Sequence, residues 1–502
     1  MLLDDAARAR IAPFVSSLDG EVFALAGLPA ETIALLFAEH ARSRAALRPL
    51  LAALLATTSA APVSTRISTP SALSPALRDA LTSYGHPSIA EHVPVTLGIE
   101  GVSILAAKAI EDSRLGSFVE KSTRHAAFDG QGAVVPPGIA ADPASAADYR
   151  AITDRLLRTH ADLLPKVVAA LRAQSSRPGG ASDPAHEAAL RGRAGDLLRG
   201  LLPAGARTSL GLTANARALA LHLGKLLGHP LAEVRDLAGA MLTAARAVSP
   251  TLFEAVGPDA YRAGLAARVA EPLRMLYSPP DPRGNTTMVV TQPVRLLRHD
   301  KDALERVALA LAYEDSDGRA HAHGLADALR LGTAAELTGL VKSALTGRPP
   351  GAAAPRAFEA TSLTFELMLD YGAYRDLQRH RLVSRASQRL GCRVGFDTPT
   401  ELLDLGLADP YQDALISAYE PWQRLEARDP HEAQYAVPLG YKLRTLITLD
   451  LRELFHVIEL RSARGSHPST RRIAQGLYRS VGQVLPWLKD MILVDLADNR
   501  TS

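Results

Sequence analysis

Residues 379–389, RHRLVSRASQR, concentrate arginines, a histidine and two serines in one short run. Guanidinium groups present planar forks of donors that match phosphate and carboxylate geometry, so such a cluster suits an anion. The plain alternative is a solvated basic face. Two features speak for a site: the spacing, and a second, altered version of the same neighbourhood around Arg114. The run follows apolar residues at Leu363, Phe365, Leu367, Leu369 and Tyr371, which read as a helix ending at the cationic cluster.

Other chemistry-bearing residues are sparse. A single cysteine, Cys392, excludes an intramolecular disulfide and a cysteine-rich metal site, and with no partner motif it reads as structural. His222, His456 and His467 do not fall at metal-triad spacing, so no metal is assigned. With 502 residues and a net charge of +3, the chain is long enough for several domains and too balanced in charge to imply nucleic-acid binding. No apolar run reaches the length of a membrane span, and the start MLLDDAARARIAPF lacks the basic-then-apolar order of a signal peptide. The expectation is a cytoplasmic protein without a membrane partner.

The elements that must position these residues come twice. Residues 21–42 read as a short strand, a turn at Gly27 to Pro29 and a helix starting near Glu31; residues 294–315 repeat that order. Loops rich in Pro, Ser, Gly or Ala follow at 61–75 and 346–355. Residues 88–114 then line up with 356–381, each with a Glu five residues before a Thr: Glu91 and Thr96, Glu359 and Thr364. Helical segments around Tyr149 and Tyr411 come next, with a further loop at 174–184 in the first copy. Each half closes with a Pro twelve residues before an Asn or Asp that precedes an Arg by two: Pro203, Asn215 and Arg217; Pro438, Asp450 and Arg452. A repeat of roughly 250 residues explains this order. The expected domains are 1–276 and 294–502, joined by a Pro- and Gly-containing linker at 277–293.

These residues resemble the flavin-dependent thymidylate synthases. That family's signature is RHR, two residues, Ser, one residue, Asn-Glu, one residue, Ser, one residue, Arg, with a Gly-His upstream followed at five residues by Glu. The first half supplies Gly85, His86 and Glu91, then Ser117, Glu120, Ser122 and Arg124, but has Asp112, Ser113 and Arg114 in place of RHR. The second half keeps Arg379, His380 and Arg381, while its RASQR reads as two residues shorter and lacks Asn-Glu. Further on, the first half matches at Arg199, Asn215 and Arg217 with Leu226 in place of the last arginine. The second has Gln434 and Asp450, then Arg452 and Arg461.

The resemblance implies an α+β, helix-rich fold, here as two tandem copies, each a small sheet packed with long helices. It implies methyl transfer to dUMP from methylenetetrahydrofolate with FAD and NADPH. Arg379, His380, Arg381, His86, Glu91, Asn215 and Arg217 would then hold the flavin. Glu120, Ser122 and Arg124 would be the catalytic, nucleotide-facing set, and Arg199, Ser387, Arg389 and Arg461 would bind a dUMP-like nucleotide. Because that family builds its sites between subunits of a homotetramer, a homodimer of tandem chains is expected to imitate four subunits. Two readings stay open at this point. In one, the halves assemble a hybrid site, with RHR facing flavin and the first half facing nucleotide. In the other, the losses leave a nucleotide-binding or assembly protein that has kept the fold without the reaction.

Overall fold

A computed structural model of the chain describes residues 3–19, 21–40, 43, 45–57, 87–123, 132–174, 183–277 and 292–497. It is an α+β fold, rich in helix, with two small antiparallel sheets. Its compact units are Met1–Lys121 with Thr208–Pro279, and Ser122–Arg207 with Pro280–Ser502. The segment 122–207, first-copy by sequence, therefore packs with the second copy. Most of the 277–293 linker, the 61–75 loop and most of the 174–184 loop lie outside the described residues.

The first unit holds β1 (Pro94–Ser103), β2 (Ser117–Glu120) and β3 (Arg207–Asn215), in the order β1-β3-β2. The second holds β4 (Val294–His299), β5 (Leu363–Asp370), β6 (Ser384–Ser387) and β7 (Lys442–Leu449), in the order β4-β5-β7-β6. The last three strands reproduce the first sheet. A helix follows the long strand in both, Ile104–Ile110 and Tyr371–Gln378, capped by Ser103 and by Asp370. Asn215 and Asp450 likewise cap Ala216–Leu227 and Leu451–Ser462 after β3 and β7. Thr96 bonds Thr213 at 2.9 Å in one sheet, and Thr364 bonds Thr448 at 3.0 Å in the other.

Three expectations need correction. The apolar series at 363, 365, 367 and 369 is β5, whose buried residues alternate with half-buried ones, because a period of two belongs to a strand. Only 371–378, between it and RHR, is helical. Around residue 25 there is no counterpart of β4 among the described residues, only a bridge from Val15 to Leu25 ahead of the helix Ala30–His40. Finally, RASQR is not shortened before its last residue. Ser117 pairs with Thr213 and Ser384 with Thr448, so Ser387 occupies the register of Glu120, and Arg389 follows where Ser122 does. The difference is substitution along a colinear strand.

The core of the second unit lies between its sheet and its helices. Phe365, Leu367 and Ile447 from the sheet pack with Phe455 and Ile458 of Leu451–Ser462 and with Leu477 of Pro468–Val484, all at 1% exposure or less. Leu451–Ser462 and Tyr371–Gln378 both pack against Pro468–Val484; Arg461 lies in the last turn of the first, and His380 follows the end of the second.

Candidate functional site

Within the second unit, two loops that the repeat makes equivalent pair with one another. Pro203 bridges Pro438. Ala204 N–H donates to Val437 O and Leu439 N–H to Leu202 O, both at 2.8 Å; Gly205 N–H donates to Tyr435 O at 2.7 Å and Gly440 N–H to Gly200 O at 3.0 Å. Exchange of the two loops maps each bond of a pair onto the other, so the seam has a local two-fold. The approach is close enough that a Cβ at Gly200 would lie 3.2 Å from Gly440 Cα. Glycine is needed there for space.

This seam delivers Arg199 to the second copy's helices. Arg199 is 7% exposed; its Nη1 donates to Asp376 Oδ2 at 3.3 Å and its Nη2 lies 3.7 Å from Asp370 Oδ1. Its Nε and Nη2 are buried without a hydrogen-bond acceptor. Leaving such donors unmet in a buried setting costs about 1–3 kcal/mol. Arg461 approaches from the other side, its Nη2 donating to Asp376 O at 2.9 Å, and Thr470 donates to the Asp376 carboxylate at 3.0 Å. Burial opposes ionisation of Asp376, yet Arg199, Arg461 and His467 outweigh it and hold the carboxyl at about 2. The opening beside Arg199 is a cavity of about 250 Å³, lined also by Asp370, Glu401, Tyr411, His467 and Arg472. Burial, with Asp370 adding, pushes the Tyr411 phenol up, so it faces the cavity protonated.

His380 lies inside the fold rather than at its surface. It is 4% exposed, and Arg461 Nε–H donates to its Nε2 at 2.9 Å. That makes Nε2 the acceptor, so Nδ1 carries the proton and donates to Glu453 Oε1 at 3.2 Å. Desolvation lowers its pKa, the Glu453 bond opposes that and Arg461 reinforces it. The imidazole is a neutral link from Glu453 to Arg461 to Asp376. Arg379 and Arg381 on either side of it are exposed at the helix end.

The remaining candidates fall as follows. Ser387 donates to Tyr374 Oη at 3.1 Å and bonds Thr445 Oγ1 at 2.8 Å; Arg389 is exposed, close enough to His431 to depress it after desolvation. In the first unit, Glu120 ends β2 with its carboxylate 3.8 Å from the buried Lys108 ammonium, which also pairs with Glu111. Ser122 is exposed just beyond β2. Asn215 spends its side-chain oxygen on the Ala218 N–H. Glu91 pairs with Arg217 at 2.5 Å, as Glu359 pairs with Arg452 at 2.6 Å, so this bond is retained in both copies. His86 and Arg124 lie outside the described residues. The structure thus brings Arg199, Arg461 and His380 together. It adds Asp376, Asp370 and Glu453, which the sequence reading passed over; an acid three residues before RHR was the available signal. Cys392 is buried, and burial pushes its thiol well up.

Fold and site define a tandem α+β protein whose polar cleft is centred on a buried arginine contributed by one repeat and faced by helices of the other. The chain belongs to the family of thymidylate synthase complementing proteins, whose model matches residues 47–251 and 295–487. It is 30% identical to a UPF0159 protein of Chlamydia muridarum over 97% of this chain and 94% of that one. A flavin-dependent thymidylate synthase of Geobacter sulfurreducens is 30% identical over 36% of this chain and 69% of its own length. Among solved structures, the UMP/dUMP methylase PolB of Streptomyces cacaoi aligns with 39% of this chain and 93% of its own, at 21% identity and a TM-score of 0.31.

Proposed function

We propose that this chain binds a pyrimidine mononucleotide of the dUMP type in the Arg199 cleft and methylates it, with FAD, methylenetetrahydrofolate and NADPH. One observation carries the reading: Arg199 and Arg461, from different repeats, converge on Asp376, and Arg199 lines an open cavity. An anionic ligand in that cavity is favoured by the guanidinium charge beside it. The cavity, at about 250 Å³, lies below the roughly 300–1,000 Å³ of ordinary ligand pockets. It admits part of a mononucleotide and excludes a dinucleotide.

A flavin must therefore sit outside this cavity, and the residues fit it through fewer contacts than the resemblance implies. The exposed guanidinium groups of Arg379 and Arg381 suit its anionic groups, whereas His380, locked between Glu453 and Arg461, has no nitrogen to offer. When bound, the flavin supplies the reducing equivalents. The chain's own part is placement: Arg199 and Arg461 orient the anionic ligand, and Tyr411 donates from the cavity wall.

A second reading is favoured by Asp376. Its carboxylate already answers both arginines from within the chain, which suits a protein that has kept the fold and lost the reaction. The spectrum of the purified protein and an assay for dTMP separate the two. Bound flavin absorbance, diminished by Arg379→Ala, together with dTMP formation from dUMP, methylenetetrahydrofolate and NADPH supports the enzyme. A colourless protein that takes up no FAD and forms no dTMP refutes it.

A further inference from the structure

Behind Arg461, three side chains of the second repeat stand in line. Glu453, in the first turn of Leu451–Ser462, is buried with its Oε1 at 3.2 Å from His380 Nδ1. His380 Nε2 accepts from Arg461 Nε–H at 2.9 Å, and Arg461 Nη2 donates to Asp376 O at 2.9 Å. A neutral imidazole carries one proton, on either nitrogen. With that proton on Nε2, two donors would face one another and the guanidinium would lose its acceptor. An ionised carboxylate accepts and cannot donate, so beside Nδ1 it selects the one tautomer that leaves Nε2 free to hold Arg461.

The repeat separates what serves the site from what serves the fold. Counted from the equivalent caps, Ser103 with Asp370 and Asn215 with Asp450, the first copy has Ser113 in the place of His380, Ala218 in that of Glu453 and Leu226 in that of Arg461. All three members are replaced together there, yet strand, cap and helix follow in the same order. The pairs Glu91 with Arg217 and Glu359 with Arg452, by contrast, stand in both copies. The fold is built without the line of three, which accompanies Arg461 where Arg461 is present.

We infer that Glu453 is a positioning residue for the nucleotide cleft: by holding the His380 proton on Nδ1 it makes Nε2 an acceptor for Arg461 and fixes that guanidinium beside Asp376. This role rests on the nucleotide reading above and deepens it by naming what orients one of its two arginines. Glu453 acts through His380 and not on the ligand.

Glu453→Gln tests this, since glutamine keeps the shape while its amide can donate to Nδ1 as well as accept from it. Two readouts are taken on the full-length chain at neutral pH: the imidazole nitrogen NMR spectrum of histidine-labelled protein, in which the His380 signals are those missing from His380→Asn, and isothermal titration with dUMP. The unaltered protein should show the Nδ1–H tautomer. In Glu453→Gln the Nε2–H form should appear and dUMP binding should weaken at least tenfold, at unchanged circular dichroism. Glu426→Gln, whose carboxylate pairs with Arg393, should leave the tautomer in place and the affinity within twofold. An unchanged tautomer in Glu453→Gln, or an affinity within twofold despite the change, overturns the inference. So does a Glu453→Gln chain that fails to fold, which would make the residue structural. An Nε2–H tautomer in an unaltered protein that binds dUMP overturns it and leaves the nucleotide reading standing. No binding by the unaltered protein overturns both.

Discussion

Asp376→Asn removes the carboxylate that accepts from Arg199 and lies in the field of Arg461, whose own hydrogen bond goes to the Asp376 backbone carbonyl, while preserving a side-chain oxygen for Thr470. Holding this carboxyl at about 2 rather than the ordinary 3.8 corresponds to roughly 2.5 kcal/mol at neutral pH. The side chain is 23% exposed, and solvent screening brings the expectation to about 2 kcal/mol. An upper bound of about 3–5 kcal/mol applies when one partner of a fully buried ion pair is removed; Asp370 beside Arg199 keeps the loss below it. Because the folded pKa is depressed, the contribution is present above the unfolded value of about 4 and is lost as pH falls through about 2. Urea unfolding of both proteins should show the full difference at pH 7 and about half of it at pH 3. A difference under about 0.5 kcal/mol at pH 7, or one that does not shrink at pH 3, refutes the claim that this carboxylate neutralises the arginine pair.

Three other outcomes follow from the same contacts. His380 has a folded pKa below the ordinary 6.5, so its neutral burial contributes stability above about 6.5 that is lost as pH falls through the lower folded value; His380→Asn should flatten the decline in urea midpoint between pH 8 and pH 5. Gly138→Ala drives a methyl into the Glu432 carboxylate and should cost about 1–3 kcal/mol, while Gly211→Ala, with nothing within 4 Å of its Cβ position, should cost less than about 1 kcal/mol; equal losses would show that Gly138 is not reserved for Glu432. Double-mutant cycles on Glu91 with Arg217 and on Glu359 with Arg452 should each give about 0.2–1 kcal/mol, shrinking with added salt; a cycle at zero would make the retained pair incidental.

The repeat was legible because caps and turns are local. Ser103 and Asp370, or Asn215 and Asp450, do the same job at the same place in each copy, and a spacing of residues along the chain records it. Strand identity at 363–369 was legible too, had the period of two been weighed over the neighbouring cationic run. The burial of the RHR residues was not legible: adjacent residues around a helix end point in different directions, so Arg379 and Arg381 face solvent while His380 turns into the core. Register was hidden as well, because only the pairing of Ser384 with Thr448 shows that Ser387 stands where Glu120 does.

The seam also explains why the losses in the two halves complement one another. In a symmetric homo-oligomer every substitution appears on both sides of an interface, so a change that ruins one site ruins all. Once both loops belong to one chain, Arg199 and Gln434 can diverge separately, and so can Leu197 and Glu432. A loop that still bonds backbone to backbone across the seam retains its structural duty whatever side chains it carries. Selection on that duty preserves the fold of both copies while their side chains diverge.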